Sequence, residues 1–334
     1  MTPETLLVLT AAEVSALLRE GEDVLMRVVE AAYAAHGQGD SVVPHSTFLR
    51  FPGGRDRIIA LPAYLGGDFE VAGMKWIASF PGNVARGLER ASGLVVLNSL
   101  ATGRPLAVVE GSIVSATRTA ASAAVAARAL HRGEPPVTVG VLGCGAINSA
   151  TLAFLLHLWP RIERVVVCDV SADRAARFVG RGRARVARVA FATVTDWRAL
   201  ADAELVSIAT TAMTPYLDDL GGGSIRTVLH LSLRDLAPTV VLAADNVVDD
   251  VDHVCRAETS LHLAERLVGD RSFIRGPLAD VLAGTAPTRP VYGSPTIFSP
   301  FGLGILDIAV AKLVCDRAEA RGLGTRIPFA AAAA

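Results

Sequence analysis

Hydrophobic and polar positions change period along the chain, and the changes divide it. From Thr10 the apolar residues recur at helical spacing, opened by Thr10-Ala11-Ala12-Glu13, an N-cap threonine with a glutamate three residues on; the spacing predicts helix through Val24 to Tyr33. Between Val42 and Val109 the period shortens to that of strands, punctuated by Pro and Gly. Strands are predicted over Ser46 to Phe51, Arg57 to Leu61, Val71 to Ser79, Ser92 to Asn98 and Pro105 to Glu110, with Ala101-Thr102-Gly103-Arg104 as a hairpin turn between the last two. An Ala-rich helix from Ile113 to Leu130 ends at Gly133 and Pro135-Pro136. Strand and helix then alternate, with strands predicted over Val137 to Leu142, Val165 to Cys168, Arg188 to Phe191, Leu205 to Ala209, Val228 to Leu231 and Asn246 to Val248. A last helix, Gly302 to Ala320, is expected to return to the first domain, and the terminal alanines to fray. No internal repeat is visible.

The first strand of the alternating half runs into Gly143-Cys144-Gly145-Ala146-Ile147-Asn148 and a helix predicted from Asn148 to Leu158. Gly143 suits a tight turn, Gly145 lets backbone approach a pyrophosphate, and the helix offers its N-terminal N–H groups to the anion. Asn148 stands where a third glycine is usual. The next strand ends in Asp169, suited to accept from a ribose 2′-hydroxyl and repel a 2′-phosphate, which favours NAD over NADP; Arg174 nearby tempers that preference. The expected fold class is therefore α/β, a Rossmann-type doubly wound NAD domain over 118–304 plus an α+β domain from 1–117 and 305–334. Cofactor contacts are expected from Gly143, Gly145, Ala146, Ile147, Asn148, Asp169, Ser171, Arg174, Thr210, Thr211 and Ser232, the last three by analogy with the strand ends of such sheets.

Composition narrows the classes. The 334 residues carry a net charge of −1, so no electrostatic footprint calls for nucleic acid or an acidic membrane surface. No apolar run is long enough to span a bilayer, the best candidate being broken by Arg118 and Arg128, and the N-terminus lacks a basic secretory n-region. Cys144, Cys168, Cys255 and Cys315 show no paired spacing, which argues against disulfides and a Cys zinc site. The arginines from Arg177 to Arg188 are expected on a solvated helix end and loop. Asp249, Asp250, Asp252 and His253 lie on a strand-to-loop segment whose faces diverge, so an acidic loop is expected rather than a metal site. A soluble cytoplasmic protein with no metal is the expectation.

Of 32 basic residues only Lys75 and Lys312 are lysines. Lys75 stands in the apolar strand Gly73-Met74-Lys75-Trp76-Ile77, where a compact charge of movable pKa reads equally as a functional lysine or a strand-edge one. Lys312 is expected at the surface. Arg118 lies among small apolar residues, Ser115-Ala116-Thr117-Arg118-Thr119-Ala120-Ala121, so its guanidinium must pair or face a cavity; carboxylate recognition is its natural use and a structural ion pair the alternative. Trp76 and Phe80 are as well suited to core packing as to stacking on a ligand.

These segments resemble the ornithine cyclodeaminase/mu-crystallin superfamily. Within it the chain most resembles the 2,3-diaminopropionate-forming branch, through Phe48-Leu49-Arg50, Asp56-Arg57-Ile58-Ile59-Ala60-Leu61-Pro62, Gly73-Met74-Lys75-Trp76-Ile77, Glu89-Arg90-Ala91-Ser92-Gly93, Glu110-Gly111-Ser112-Ile113-Val114-Ser115 and Val248-Asp249-Asp250. The resemblance implies a substrate-binding and dimerisation role for the first domain and a homodimer. It also implies that Lys75 is the active-site lysine, Arg118 a carboxylate-binding arginine and Asp235 the catalytic aspartate; by itself Asp235 reads as a loop cap. Cyclodeaminases carry a glutamate where this chain has Ile59, and the family's other carboxylate-binding arginine is replaced by His45, with Arg50 nearby.

The implied substrate is N-(2-amino-2-carboxyethyl)-L-glutamate, a secondary amine with three carboxylates. Arg118, Lys75, Arg50, Arg90 and His45 are the expected cations. Hydride loss from the glutamyl Cα gives an imine, Asp235 is the expected base for water addition, and the products are 2-oxoglutarate and L-2,3-diaminopropionate, in siderophore or peptide natural-product assembly. The alternatives are another enzyme of the superfamily, an ornithine or lysine cyclodeaminase or a ketimine- or alanine-type dehydrogenase, and a mu-crystallin-like protein that binds cofactor and ligand.

Overall fold

The computed structural model describes residues 5–19, 21–52, 54, 56–221, 223–288 and 295–329. In chain order the elements begin with β1 (Thr5–Leu9), α1 (Ala11–Leu18), α2 (Glu22–Gly37), β2 (Ser41–Val42), β3 (Thr47–Arg50), β4 (Arg57–Leu65), β5 (Val71–Ser79), β6 (Ala91–Asn98), β7 (Pro105–Glu110) and α3 (Gly111–Leu130). The alternating half follows with β8 (Thr138–Leu142), α4 (Ala146–Leu158), β9 (Arg164–Cys168), α5 (Ala172–Arg185), β10 (Ala190–Val194), β11 (Leu205–Ile208), β12 (Thr227–His230), α6 (Pro238–Leu242), β13 (Asp245–Val248), α7 (Val251–Val254), α8 (Ser260–Val268), β14 (Ile274–Pro277), α9 (Leu278–Ala283) and β15 (Thr296–Ser299). The chain closes with α10 (Gly304–Arg321) and β16 (Thr325–Pro328). It separates into two compact units, 1–118 with 303–334 and 119–302.

In the first unit the strands form one sheet in the order β16-β1-β7-β6-β5-β4-β2, with β3 paired to the far part of β4. The pairings are antiparallel except β1 with β7. α10 lies over β4, β5 and β6 and against α2. Because α10 is covered by sheet on one side and helix on another, its first turns are buried all round: Ile305, Leu306, Ile308, Ala309 and Val310 leave almost no surface. A charged residue within those turns must find a partner inside the protein.

The first helix departs from expectation. The capping box forms, with Glu13 accepting from the Thr10 amide at 2.8 Å, but the helical run breaks at Gly21 into α1 and α2. Gly21 becomes the N-cap of α2, and packing from α10 accompanies the break. Arg317 of α10 donates to the Leu17 carbonyl at 2.6 Å and lies where a Gly21 side chain would be, 3.3 Å from its Cβ position. β1, β2, β14, β15 and β16 also form where no strand was expected, and β10 begins two residues beyond its predicted start. The alanine tail at 330–334 lies outside the described residues.

The second unit is a parallel sheet in the order β10-β9-β8-β11-β12-β15-β13-β14. β11, β12, β13 and β15 are buried at every position and β8 and β9 at all but the first, as expected of parallel strands covered on both faces. The chain moves outward in one direction from β8 through β9 to β10 and in the other from β11, so the topological switch point lies between β8 and β11. Among the described residues no helix is long and apolar enough to cross a membrane, and no group of three or more His, Cys, Asp or Glu could hold a metal ion. Asp249 is fully buried and accepts from the amides of Phe301 and Gly302 at 2.8 and 2.6 Å, and Asp250 caps α7. The expected acidic loop is thus a buried brace followed by a helix cap.

Candidate functional site

Two clusters of buried charged residues stand out, one in each unit. In the first, β5 places Lys75 on the sheet face covered by α10, and α3 brings Arg118 to the same place. Between them stands Asp307, from the first turn of α10: Lys75 Nζ lies 2.7 Å from Oδ2, and Arg118 Nε donates to Oδ1 at 3.0 Å. Lys75 also donates to Ser115 Oγ at 3.1 Å. All three charged residues are buried. Burial and the neighbouring Arg118 charge draw the Lys75 ammonium down to about 8, against the opposing pull of Asp307. Arg118 uses only Nε on Asp307 among the described residues, so its Nη fork remains to meet a second carboxylate. Asp307 was not singled out from sequence; its only signal is an acidic residue inside an apolar helical run.

The other expected cations lie away from this cluster. His45 is exposed ahead of β3, and Arg50 is exposed at the end of β3, its guanidinium 5.4 Å from the Phe48 ring centroid. Arg90 donates from Nη1 to Ser79 Oγ at 2.7 Å. Trp76 is exposed on the opposite face from Lys75, Phe80 packs against Phe51 at 5.7 Å, and Lys312 is half-buried and paired with Asp316.

In the second unit the loops after β8 and β11 meet at the switch point. Gly143 has φ +92°, and a side chain there would strike the Ala209 carbonyl at 2.3 Å, so only glycine fits. Gly145 faces open space, with nothing within 4 Å of its Cβ position, and begins α4 as an N-cap without a side-chain cap bond. Gly145 and Ala146 are exposed and Ile147 half-buried. The Asn148 side chain is instead used internally. Its amide donates to Leu142 and Gly143 carbonyls at 2.9 and 2.7 Å, and its oxygen accepts from Ser207 Oγ at 2.7 Å. Asn148 therefore braces the glycine turn rather than facing a ligand.

Asp169 accepts from the Cys144 amide at 2.7 Å, from the Ser171 amide at 2.8 Å and from Arg174 Nη2 at 2.9 Å. Burial would raise its carboxyl, but Arg174 and the two amides outweigh that and hold it below the usual range. Ser171 caps α5. A positive-φ glycine, an open cradle at Gly145, an uncapped helix start and an ionised carboxylate at the end of the next strand together fit a dinucleotide with a free ribose 2′-hydroxyl.

Asp235 lies deeper in this unit and is fully buried. Thr210 and Ser232 each donate a short hydroxyl bond to its carboxylate, His230 Nε2 is 3.3 Å from Oδ2, and His230 Nδ1 meets Ser299 Oγ at 3.1 Å. Tyr216, 43% exposed, also bonds to Asp235. Desolvation raises the Asp235 carboxyl, but His230, Ser232 and Thr210 together bring it below its ordinary value. Thr210 and Ser232 are half-buried and Thr211 is exposed. His230, Tyr216 and Ser299 were missed by sequence reading because they become neighbours only through the pairing of β12 with β15 and the loops beside them.

Comparison with known proteins gives consistent relatives. The family model described as ornithine cyclodeaminase/mu-crystallin family matches residues 4–322. N-((2S)-2-amino-2-carboxyethyl)-L-glutamate dehydrogenase of Staphylococcus aureus is 32% identical over 317 residues, covering 91% of this chain and 93% of that protein. Among solved structures, Thermococcus litoralis Δ1-pyrroline-2-carboxylate reductase in complex with NADH and L-proline is similar with a TM-score of 0.88 at 26% identity, covering 96% of this chain and 100% of that one. An archaeal alanine dehydrogenase dimer with bound NAD matches with a TM-score of 0.85 at 27% identity, over 97% and 99% of the two chains.

Proposed function

The chain belongs to the ornithine cyclodeaminase/mu-crystallin family, and from that premise we propose that it oxidises N-(2-amino-2-carboxyethyl)-L-glutamate with NAD, releasing L-2,3-diaminopropionate and 2-oxoglutarate. It is an NAD-dependent oxidoreductase acting on a CH–NH bond. The observation that carries the reading is a charge imbalance: Lys75 and Arg118 are buried against the single carboxylate of Asp307, so their cluster has room for one further negative charge, the substrate's. By the family resemblance Ile59 stands where the cyclodeaminases have a glutamate, and an uncharged side chain there disfavours an ω-ammonium substrate.

In this reading the first unit binds substrate and the second binds the dinucleotide. Gly143, Gly145, Ala146 and Ile147 supply backbone to the pyrophosphate, Asp169 with Ser171 and Arg174 meets the adenosine ribose, and Thr210, Thr211 and Ser232 line the strand ends. Bound NAD supplies the hydride acceptor. Lys75 and the Arg118 fork hold the carboxylate next to the glutamyl Cα, and that carbon gives up its hydride as the nitrogen gives up a proton. Water then adds to the resulting C=N bond. Asp235 takes the proton of that water through the Thr210 or Ser232 hydroxyl, its ionised state kept ready by His230. The C–N bond breaks, the nitrogen leaves with diaminopropionate and takes a proton from Lys75 or Asp235, and the oxygen of water remains as the ketone of 2-oxoglutarate. His45, Arg50 and Arg90 are the proposed further cations for the substrate's other carboxylates. We place the protein as a cytoplasmic homodimer supplying siderophore or peptide natural-product assembly.

The test is NADH formation from NAD and N-(2-amino-2-carboxyethyl)-L-glutamate, with ornithine, lysine and alanine in parallel and products identified by mass spectrometry. NADH with 2-oxoglutarate and diaminopropionate from the first substrate alone is expected. Proline or pipecolate formed without net NADH would move the chain to the cyclodeaminases, and NADH from alanine alone to the alanine-type dehydrogenases.

A further inference from the structure

The sheet face that carries Lys75 continues past the start of α10. A side chain at Gly304 would meet the Leu61 carbonyl at 3.0 Å, so the helix begins over Leu61, which pairs with Lys75. Beyond it the register fixes two more rows. Ile59 opposes Ile77, with Phe48 on its other side; Arg57 opposes Ser79, with Arg50 on its other side. Directly opposed residues of antiparallel strands project to one face, so these rows extend the Lys75 face as a strip, basic at both ends and apolar in the middle. The four residue steps along β5 from Lys75 to Ser79 span about 13 Å.

Arg90, just before β6, joins the far end through its bond to Ser79 Oγ. Arg50 and Arg57 stand directly opposite one another in the ladder, so the register brings two guanidinium side chains to one end of the strip. Among the described residues neither Arg50 nor Arg90 has a carboxylate partner. Burial pulls the Arg90 guanidinium below its ordinary pKa, the mark of a cation short of both water and counter-charge. Stacking on Phe48 holds the Arg50 guanidinium in place without neutralising it.

From this strip we infer that Arg50, Arg57 and Arg90 form a second carboxylate subsite, which takes the substrate carboxylate remote from the reacting carbon while Lys75 and Arg118 take the near one. The ligand class is therefore an acid with at least two carboxylates, and the isoleucine row between the ends offers nothing to an ω-ammonium. The inference rests on the reading of the first unit as the substrate-binding one and adds Arg57 and the division of the carboxylates between two ends.

The experiment is direct calorimetric binding of 2-oxoglutarate and of 2-oxovalerate, which has the same chain length but lacks the remote carboxylate, to the full-length protein with NADH. The wild type is expected to bind 2-oxoglutarate tighter by about tenfold or more, the weight of a charge-assisted hydrogen bond. Arg57→Met and Arg50→Gln should remove that preference while leaving 2-oxovalerate binding unchanged, and Arg90→Lys should keep part of it. Arg50 is exposed, so its variant decides the matter if Arg57→Met fails to fold. Equal affinity for the two acids in the wild type, or a preference that survives Arg50→Gln and Arg57→Met, would overturn the subsite. Since no turnover is read, the two proposals fail separately: NADH formation without the preference removes the subsite alone, and the preference without NADH formation removes only the proposed reaction.

Discussion

Asp307 in the first unit and Asp235 in the second are both fully buried carboxylates, satisfied in opposite ways. Asp307 meets two formal cations, Lys75 at 2.7 Å and Arg118 at 3.0 Å. Asp235 meets hydroxyls of Thr210 and Ser232 and the imidazole of His230 at 3.3 Å. The first arrangement carries surplus positive charge and suits the binding of an anion. The second keeps a negative charge among groups that carry exchangeable protons, and suits proton transfer. Burial is common to both, so it is the charge balance around each carboxylate that distinguishes the binding and proton-handling roles proposed for them.

The comparison breaks most severely at Asp307. Asp307→Asn preserves shape but leaves Lys75 and Arg118 buried without a counter-charge, and denaturant unfolding should show a loss of about 3–5 kcal/mol. A loss under about 1 kcal/mol would mean that water neutralises the cluster and that the surplus-charge argument fails. Asp235→Asn comes next: turnover should fall about 10²- to 10⁴-fold with NADH affinity unchanged, and undiminished turnover would take Asp235 out of the mechanism.

Lys75 sharpens the contrast through pH. With its folded pKa drawn from 10.5 to about 8, the ammonium loses its charge across that lower value, so 2-oxovalerate binding should weaken as pH rises through about 8. Lys75→Met should bind more weakly and without that inflection. For stability the sign is opposite. Between about 8 and 10.5 the unfolded chain holds the proton that the folded chain has released, so Lys75 contributes stability above 10.5 that is lost as pH falls through about 8. Thermal unfolding of wild type against Lys75→Met across that window reads this directly. The smallest effect is expected from Ser299→Ala, which removes the hydroxyl 3.1 Å from His230 Nδ1 and should lower stability by about 0.5–1.5 kcal/mol, with turnover reduced less than in Asp235→Asn.

What could be read in advance follows burial pattern. Of the parallel strands, β8, β9 and β11 are buried almost throughout and announce themselves by their apolar residues, and β5 and β7 were legible to the residue. β16 is exposed at all four positions and carries no such pattern; β15, Thr296-Ile297-Phe298-Ser299, sets only two apolar residues between two polar ones and ends at Pro300. Gly21 itself weakens a helix, but the contact that settles there, with Arg317, is almost 300 residues away along the chain and could not be read locally. At the sites, Lys75 was conspicuous as one of two lysines and Arg118 as a charge among alanines, while Asp307 looked like any polar residue on a helix.

The amino-acid sequence by itself determined the α/β class, the glycine turn with its acidic strand end, and the identity of the two cations, because these depend on local period, backbone freedom and composition. Tertiary structure decided which groups neutralise those cations and which leave them short of charge. Arg118 and Asp307 are 189 residues apart, and Arg50, Arg57 and Ser79 share a face only through strand register. Electrostatic energy depends on separation in space and on the exclusion of water, and neither is written in the spacing of residues along the chain.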